Sequence, residues 1–353
     1  MFKKINILLL LLTAGFFMTM FTIQGCGNKD EQTEDKKQND GKSGAVNSDL
    51  VKKDEKGTRA SLVLKPKKGD VFKYKMNAKT SSKEKSPLTG DNEVTSTQDI
   101  FYYYSEEVND VASNGIITYK IKFDSITIVS SAAEKDSSIS MTYNSNIKDS
   151  VHSKPDFIQY NSIMNEEFFA RVSPQGEISE VYGLEQVYEN MFKSLGDTLT
   201  SEQKESLKES FGKDAIKAVL QQQFQMFPEN EVYQDSSWTR SYETQMLIFP
   251  VKNVLNYKLK EIKEENNQFF ITIDAELAVD FIEKEIKEKQ MSYKVEDVKT
   301  GGKGWIVYNL SRGCVAKKET STNIDLNMKI SAGAQSVKTL QNVTTELKVE
   351  LLK

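Results

Sequence analysis

A single histidine, His152, stands among 353 residues, and that scarcity narrows the chemistry before any motif is read. Catalytic zinc takes three protein ligands among which histidine is prominent, and a nucleophile worked by His needs an imidazole beside it. One histidine in the polar stretch from Lys148 to Pro155 supplies neither, and it reads as a surface residue of a loop. Cysteine is nearly as scarce, with Cys26 and Cys314 the two in the chain. The sequence also lacks a Gly-x-Ser-x-Gly elbow, a Gly-x-x-x-x-Gly-Lys phosphate loop and a Gly-x-Gly-x-x-Gly turn. Its one glycine-rich stretch, Thr300-Gly301-Gly302-Lys303-Gly304, is too short to cradle phosphate and reads as a hairpin tip. No cofactor and no metal is expected from these residues. Charge of one sign is not concentrated either: 47 Lys and Arg are interspersed with 51 Asp and Glu, which leaves no basic stripe for nucleic acid. Hydrophobic residues make up 38%, too few for a chain of many membrane spans.

One long apolar run is present. Lys3-Lys4 precede a stretch from Ile7 to Phe21, and Ile23-Gln24-Gly25-Cys26 closes it. That order is the charged and apolar regions of a secretory signal over residues 1–25. Its last four residues resemble the lipobox of bacterial lipoproteins, which implies cleavage before Cys26 and acylation of its thiol. An uncleaved helical anchor from Ile7 to Ile23 is the alternative. Two or more acyl chains on Cys26 would hold the protein durably on a membrane, where one chain binds only marginally. Cys314 would then have no intramolecular partner and reads as a small buried thiol. Lys29-Asp30-Glu31 resembles the surface-export signal of Bacteroidetes lipoproteins and reads equally as the first charges of a linker. The expected location is the cell envelope, in the outer membrane, on its periplasmic face or at the cell surface. Residues 26–59 are polar throughout, a composition that cannot offset its ordering entropy, and they read as a disordered stalk with a reach of roughly 30 Å.

Residues 60–353 read as one β-rich domain. Alternating apolar positions mark strands around Val71, Tyr74 and Met76, over Ile100–Tyr104, and over Ile116–Val129, where Ile117, Tyr119, Ile121 and Phe123 share a face. Asn114-Gly115 and Pro174-Gln175-Gly176 are turn sequences. The period then changes. Leu184, Val187, Tyr188, Met191, Phe192 and Leu195 form a helical stripe ending near Gly196, and Thr200 with Gln203 forms a capping box for a second helix. The helical segment spans about 183–226. Strands resume over Ser237–Phe249, Val254–Ile262, Gln268–Phe281, Gly304–Tyr308, Val315–Met328 and Leu340–Leu351, with Ser311-Arg312-Gly313 closing a hairpin. The fold class is α+β: a curved antiparallel sheet, half-barrel like, with two or three helices from the middle third packed on one face. It resembles the open half-barrels of periplasmic lipoprotein carriers.

Five segments carry a family likeness. They are Leu64 through Tyr74, Ser173 through Gly183, Phe227-Pro228, Asp235-Ser236-Ser237-Trp238, and Gly304 through Gly313. In this order they resemble a family of uncharacterised bacterial lipoproteins, common in Bacteroidetes, defined by a domain of unknown function. Gln234-Asp235-Ser236 departs from the Gly-Asp that the family favours before its Ser/Thr-Trp. The likeness implies fold and location, and it assigns no chemistry.

Of the carboxylate pairs, Glu106-Glu107, Glu166-Glu167 and Glu264-Glu265 sit on opposite faces of a strand when adjacent, and they read as solvated charge. Tyr102-Tyr103-Tyr104, Phe168-Phe169 and Phe269-Phe270 read as strand aromatics with alternate members in the core. The function expected is therefore a non-enzymatic envelope lipoprotein that binds a hydrophobic ligand or another envelope component. A structural or adhesive surface module is the second reading, and a carboxylate-based hydrolase the third.

Overall fold

The computed structural model describes residues 50–87, 92–196, 199–210, 212–221, 223–224, 227–288, 291–333 and 335–353. Cys26, the signal segment and residues 27–49 lie outside them. The first half contains β1 (Val51–Asp54), β2 (Gly57–Ala60), β3 (Val71–Lys85), β4 (Glu93–Val111), β5 (Ile117–Glu134), β6 (Ser137–Asn144), β7 (Glu167–Val172) and β8 (Ile178–Tyr182), with α1 (Ile158–Ile163) before β7. Then come α2 (Glu185–Leu195), α3 (Ser201–Ser210) and α4 (Lys213–Gln221). The second half contains β9 (Val232–Tyr233), β10 (Ser237–Met246), β11 (Phe249–Glu265), β12 (Gln268–Phe281), β13 (Glu285–Glu288), β14 (Met291–Asn309), β15 (Cys314–Ala332) and β16 (Gln335–Leu351).

The main sheet runs β10-β11-β12-β14-β15-β16-β3-β4-β5-β7-β8, with β6 added to β5 and β13 to β14. Its strand pairs are antiparallel, and the last strand joins the first half, Leu351 opposite Tyr74. The two β-rich stretches on either side of the helices are thus one continuous sheet. Its edges, β8 and β10, do not pair with each other, so the barrel stays open.

Alternation decides which face is inside. Phe72, Tyr74 and Met76 of β3, Ile100, Tyr102 and Tyr104 of β4, and Ile117, Tyr119, Ile121 and Phe123 of β5 are all buried. On β5 the buried set then changes parity to Ile126 and Ile128, because Tyr104 faces Phe123 while Tyr103 faces Ser125. Asp124 is the extra residue of a β-bulge, and it resets the alternation. Side chains from β3–β5 and from β11–β16 meet in one hydrophobic cluster. Strands so far apart in sheet order can share a core only if the sheet curls, which makes it a half-barrel.

Two segments close one end of the curl. Leu62 and Leu64 are buried, the Leu64 amide donates to Pro174 O at 2.8 Å, and Tyr308 Oη donates to Val63 O at 3.3 Å. At the open seam, the Phe227 amide donates to Gln175 O at 2.8 Å, and Arg240 Nη2 of β10 donates to Phe227 O at 2.6 Å. The chain leaving α4 therefore ties one sheet edge to the other. Gln221 adds to the tie: its Nε2 donates to Gly176 O, and its Oε1 accepts from the Ile178 amide. An edge strand covered in this way presents fewer free backbone groups to other chains.

Local signals fall where expected. Thr200 and Gln203 exchange reciprocal bonds of 2.9 and 3.2 Å, α2 ends before Gly196 at φ +92°, and Asn114-Gly115 and Ser311-Arg312-Gly313 are tight turns. Four expectations need correction. Residues 51–60, expected in the stalk, carry the β1–β2 hairpin, which Lys52 and Arg59 link to the β9 region by ion pairs with Glu231. The strand expected over Ser237–Phe249 breaks at Leu247, whose φ is +58°, so that Phe249 opens β11. The glycines at 301, 302 and 304 lie in the middle of β14, not at a hairpin tip. Glu106 is not solvated; its side chain is in the core.

Candidate ligand cavity

The glycines of β14 have a consequence inside the curl. Gly302 and Gly304 alternate with Ile306, so their missing side chains face inward. A Cβ at Gly302 would lie 2.7 Å from Thr322 Cγ2, and one at Gly304 would meet the Glu319 carbonyl and Thr320. β14 and β15 are thus closely apposed, with a strip of wall bare of side chains. Glycine at such points lets a sheet bend sharply and keeps volume free beside it.

A cavity of about 160 Å³ lies against this strip, walled by the end of α4 and by β10, β11, β12, β14, β15 and β16. Phe224, Met246, Leu255, Ala275, Leu277, Val279, Ile324 and Leu347 supply its apolar lining. Tyr242, Asn253, Tyr257, Lys318, Thr320, Thr322 and Thr345 supply polar groups. An apolar chamber of about 150 Å³ is enough to hold a benzene ring. Glu276 and Lys303 border the cavity and are exposed, whereas Asn253 and Lys318 are buried. Burial lowers the Lys318 amine to about 8, and desolvation raises both the Tyr242 and Tyr257 hydroxyls, which stay neutral at physiological pH. A mostly apolar chamber with a few polar groups and one buried amine has the composition of a small-molecule site.

Beside the cavity, the same α4 exit holds a buried polar network. Phe224 faces the cavity and packs on Tyr119, ring centres 5.4 Å apart. Its neighbour Gln223 donates to Glu106 Oε2 at 2.9 Å and accepts from Tyr104 Oη. Glu106 Oε1 has no partner among the described residues. Desolvation pushes the Glu106 carboxyl up to about 8, the Gln223 hydrogen bond opposing it in part. Cys314 lies near this group, and burial pushes its thiol up to about 12, the behaviour of an inert core thiol.

The other residues weighed from sequence are dispersed. His152 lies in a turn whose amide caps on Asp149, its ring 6.0 Å from that of Tyr143. Glu107 is on the outer face, paired with Lys120 at 2.8 Å. Glu166 accepts from Asn190 Nδ2 at 2.9 Å, and Glu264 is exposed. Tyr103 is on the outer face beside Lys75, while Tyr102 and Tyr104 point inward. Among the described residues no three His, Cys, Asp or Glu side chains are grouped to hold a metal, and no helix is long and apolar enough to cross a membrane. Sequence reasoning missed Lys318 because Lys317-Lys318 reads as a solvated pair. The available signal was its place on the same face as Thr320, Thr322 and Ile324.

Fold and cavity together define an open antiparallel half-barrel with a largely apolar cavity against its inner face. The chain belongs to a family of unknown function (DUF6263), whose model matches residues 114–315. Most segments that carry the likeness meet at the closed end: Leu64 bonds to Pro174, Gln175 to Phe227, and Gly313 packs on the backbone of Lys65 and Pro66. No curated protein matches. Among solved structures, lipovitellin, whose structure is titled for its lipid-protein interactions, shares 10% identity at a TM-score of 0.43, over 82% of this chain and 26% of that one. The chain thus spans about a quarter of lipovitellin's length. OccK7 (OpdD) of Pseudomonas aeruginosa shares 5% at a TM-score of 0.24, over 81% and 100%. The translocator domain of autotransporter NalP of Neisseria meningitidis shares 6% at 0.21, over 80% and 90%.

Proposed function

We propose that this chain is an acyl-anchored lipoprotein of the cell envelope whose half-barrel binds a small apolar ligand. The observation that carries the binding reading is the chamber of about 160 Å³ with its largely apolar lining. A module acting through its surface alone has no need of interior volume, since an empty apolar cavity costs stability in proportion to its size. Binding is favoured over carboxylate catalysis by geometry. The two carboxyls that desolvation pushes upward, Glu84 and Glu106, are far apart, since Glu84 sits opposite Val94, twelve positions along β4 from Glu106. That is roughly 40 Å, beyond any shared substrate bond. Anchoring rests on Ile23-Gln24-Gly25-Cys26 behind its charged and apolar stretches.

Calorimetric titration with octan-1-ol tests the chamber. Wild-type protein is expected to bind it saturably, and Leu277→Trp at the half-exposed wall to weaken binding by about tenfold or more. No saturable binding by a folded wild type, or equal binding by both proteins, would overturn the reading. Globomycin, which blocks lipoprotein signal cleavage, tests the anchor independently. A larger precursor is expected, with palmitate label lost in Cys26→Ser; an unchanged size with no label in the wild type would remove it.

A further inference from the structure

We propose that the sheet carries a second site on its outer face, a groove across β12, β14, β15 and β16 that takes a neutral oligosaccharide with one sugar ring against Trp305. The site is distinct from the chamber and lies on the other side of the same strands.

Alternation sets the two sides apart. Ile273, Ile306 and Leu347 are buried on the inner face, so the residues between them in each strand turn outward. The pairing register arranges these into two rows. Glu276, Lys303, Ser321 and Glu346 make one, and Asp274, Trp305, Glu319 and Lys348 make the other. Together they surround a hollow of about 470 Å³, a volume in the range of small-ligand sites. A row of four strands is roughly 15 Å across, longer than a single sugar ring.

Opposite charges on facing strands stabilise a sheet when they pair. Here Glu276 stands opposite Lys303 and Glu319 opposite Lys348, yet among the described residues neither couple closes into an ion pair. Asp274 is held instead by Lys260, and Glu319 by Lys317, each at 3.2 Å. Glu276, Lys303, Glu346 and Lys348 stand exposed around the hollow, their side-chain donors and acceptors turned to whatever fills it. Two are acidic and two basic, so the four give no net attraction to an anion or a cation. Exposed charge pairs contribute little in water. Sugar hydroxyls, by contrast, donate to carboxylates and accept from ammonium groups, and so can bond along the whole row.

Trp305 supplies the apolar part. Its ring is half-buried, and Lys317, which does not line the hollow, lies 5.2 Å from it on the Val307 side. The ring therefore ends the groove, with its other side toward Lys303, where the C–H face of a sugar can stack on it.

A microarray of neutral, acidic and amino glycans probed with the purified protein, followed by calorimetric titration of the best neutral glycan, tests the proposal. Wild type is expected to bind neutral glycans, with an affinity unchanged between about 50 and 500 mM salt. Trp305→Ala is expected to weaken binding by about tenfold or more, and Glu346→Gln, at an exposed position, by about threefold or more. A loss in either variant places the glycan in this groove. The proposal is overturned if no glycan binds, if only charged glycans bind and salt releases them, or if both variants bind as wild type does. Should Trp305→Ala fail to fold, Glu346→Gln and Lys303→Gln decide the matter in the same way.

Discussion

Replacing Phe227 with alanine will cost about 3–5 kcal/mol of stability, the usual loss for truncating a fully buried aromatic ring, and will loosen both edges of the sheet. The ring is fully buried and meets Tyr308 of β14 edge-on, centres 4.9 Å apart. Its own backbone holds the β7–β8 turn through Gln175 and β10 through Arg240. The lost ring therefore weakens the point at which β8 and β10, unpaired with each other, are bridged. Hydrogen exchange followed by mass spectrometry should show faster exchange in Ile178–Tyr182 and Ser237–Met246 than in β15 and β16, which are paired on both sides. A stability loss below about 1 kcal/mol, or exchange that changes only around residue 227, would show that the seam is held elsewhere.

The pH dependence of stability is the second large effect. An ordinary glutamate titrates near 4.5, and Glu106 is carried to about 8 in the fold, chiefly by desolvation. Below pH 4.5 the folded and unfolded chains both hold the proton. Between 4.5 and 8 the unfolded chain releases it while the folded chain keeps it, so stability falls as pH rises; above 8 the loss is complete. At about 1.4 kcal/mol per pH unit the whole interval amounts to on the order of 4–5 kcal/mol. Lys318, lowered from 10.5 to about 8, acts in the opposite sense: between 8 and 10.5 the unfolded chain holds the extra proton, and stability recovers. The two windows do not overlap, so each can be read separately. Glu106→Gln, neutral at every pH and similar in shape, should flatten the decline between pH 5 and 8 and exceed wild type in urea midpoint at pH 8. Wild-type and variant curves running parallel from pH 5 to 8 would show that the Glu106 proton is not linked to folding.

Much of the fold was legible because its signals are local. Thr200 and Gln203 are three residues apart and cap each other whatever else the chain does. Strand β12 begins and ends where its alternation does, from Gln268 to Phe281. The inward face of β5 was readable over Ile117–Phe123, yet the bulge at Asp124 was not, because a bulge is defined by the partner strand. The same holds for the β1–β2 hairpin. Its polar residues look like linker until Glu231, about 180 positions on, meets Lys52 and Arg59.

The candidate site was less legible for the same reason. Alternation stated correctly that Glu106 and Glu107 face opposite sides. It did not say that the inner one would sit under Gln223, 117 residues away in sequence, beyond reach of water. The sequence by itself determined the β-rich class, the turns, the helix stripes and the order of strands and helices, because each depends on side chains within a few residues and on backbone preferences. Only the tertiary structure decided that the two halves of the sheet join through β16 and β3, that glycines in mid-strand thin a wall, and that Lys318 lies inside. Those outcomes depend on how far the sheet curls and on which distant strands meet, and no short stretch of the chain encodes either.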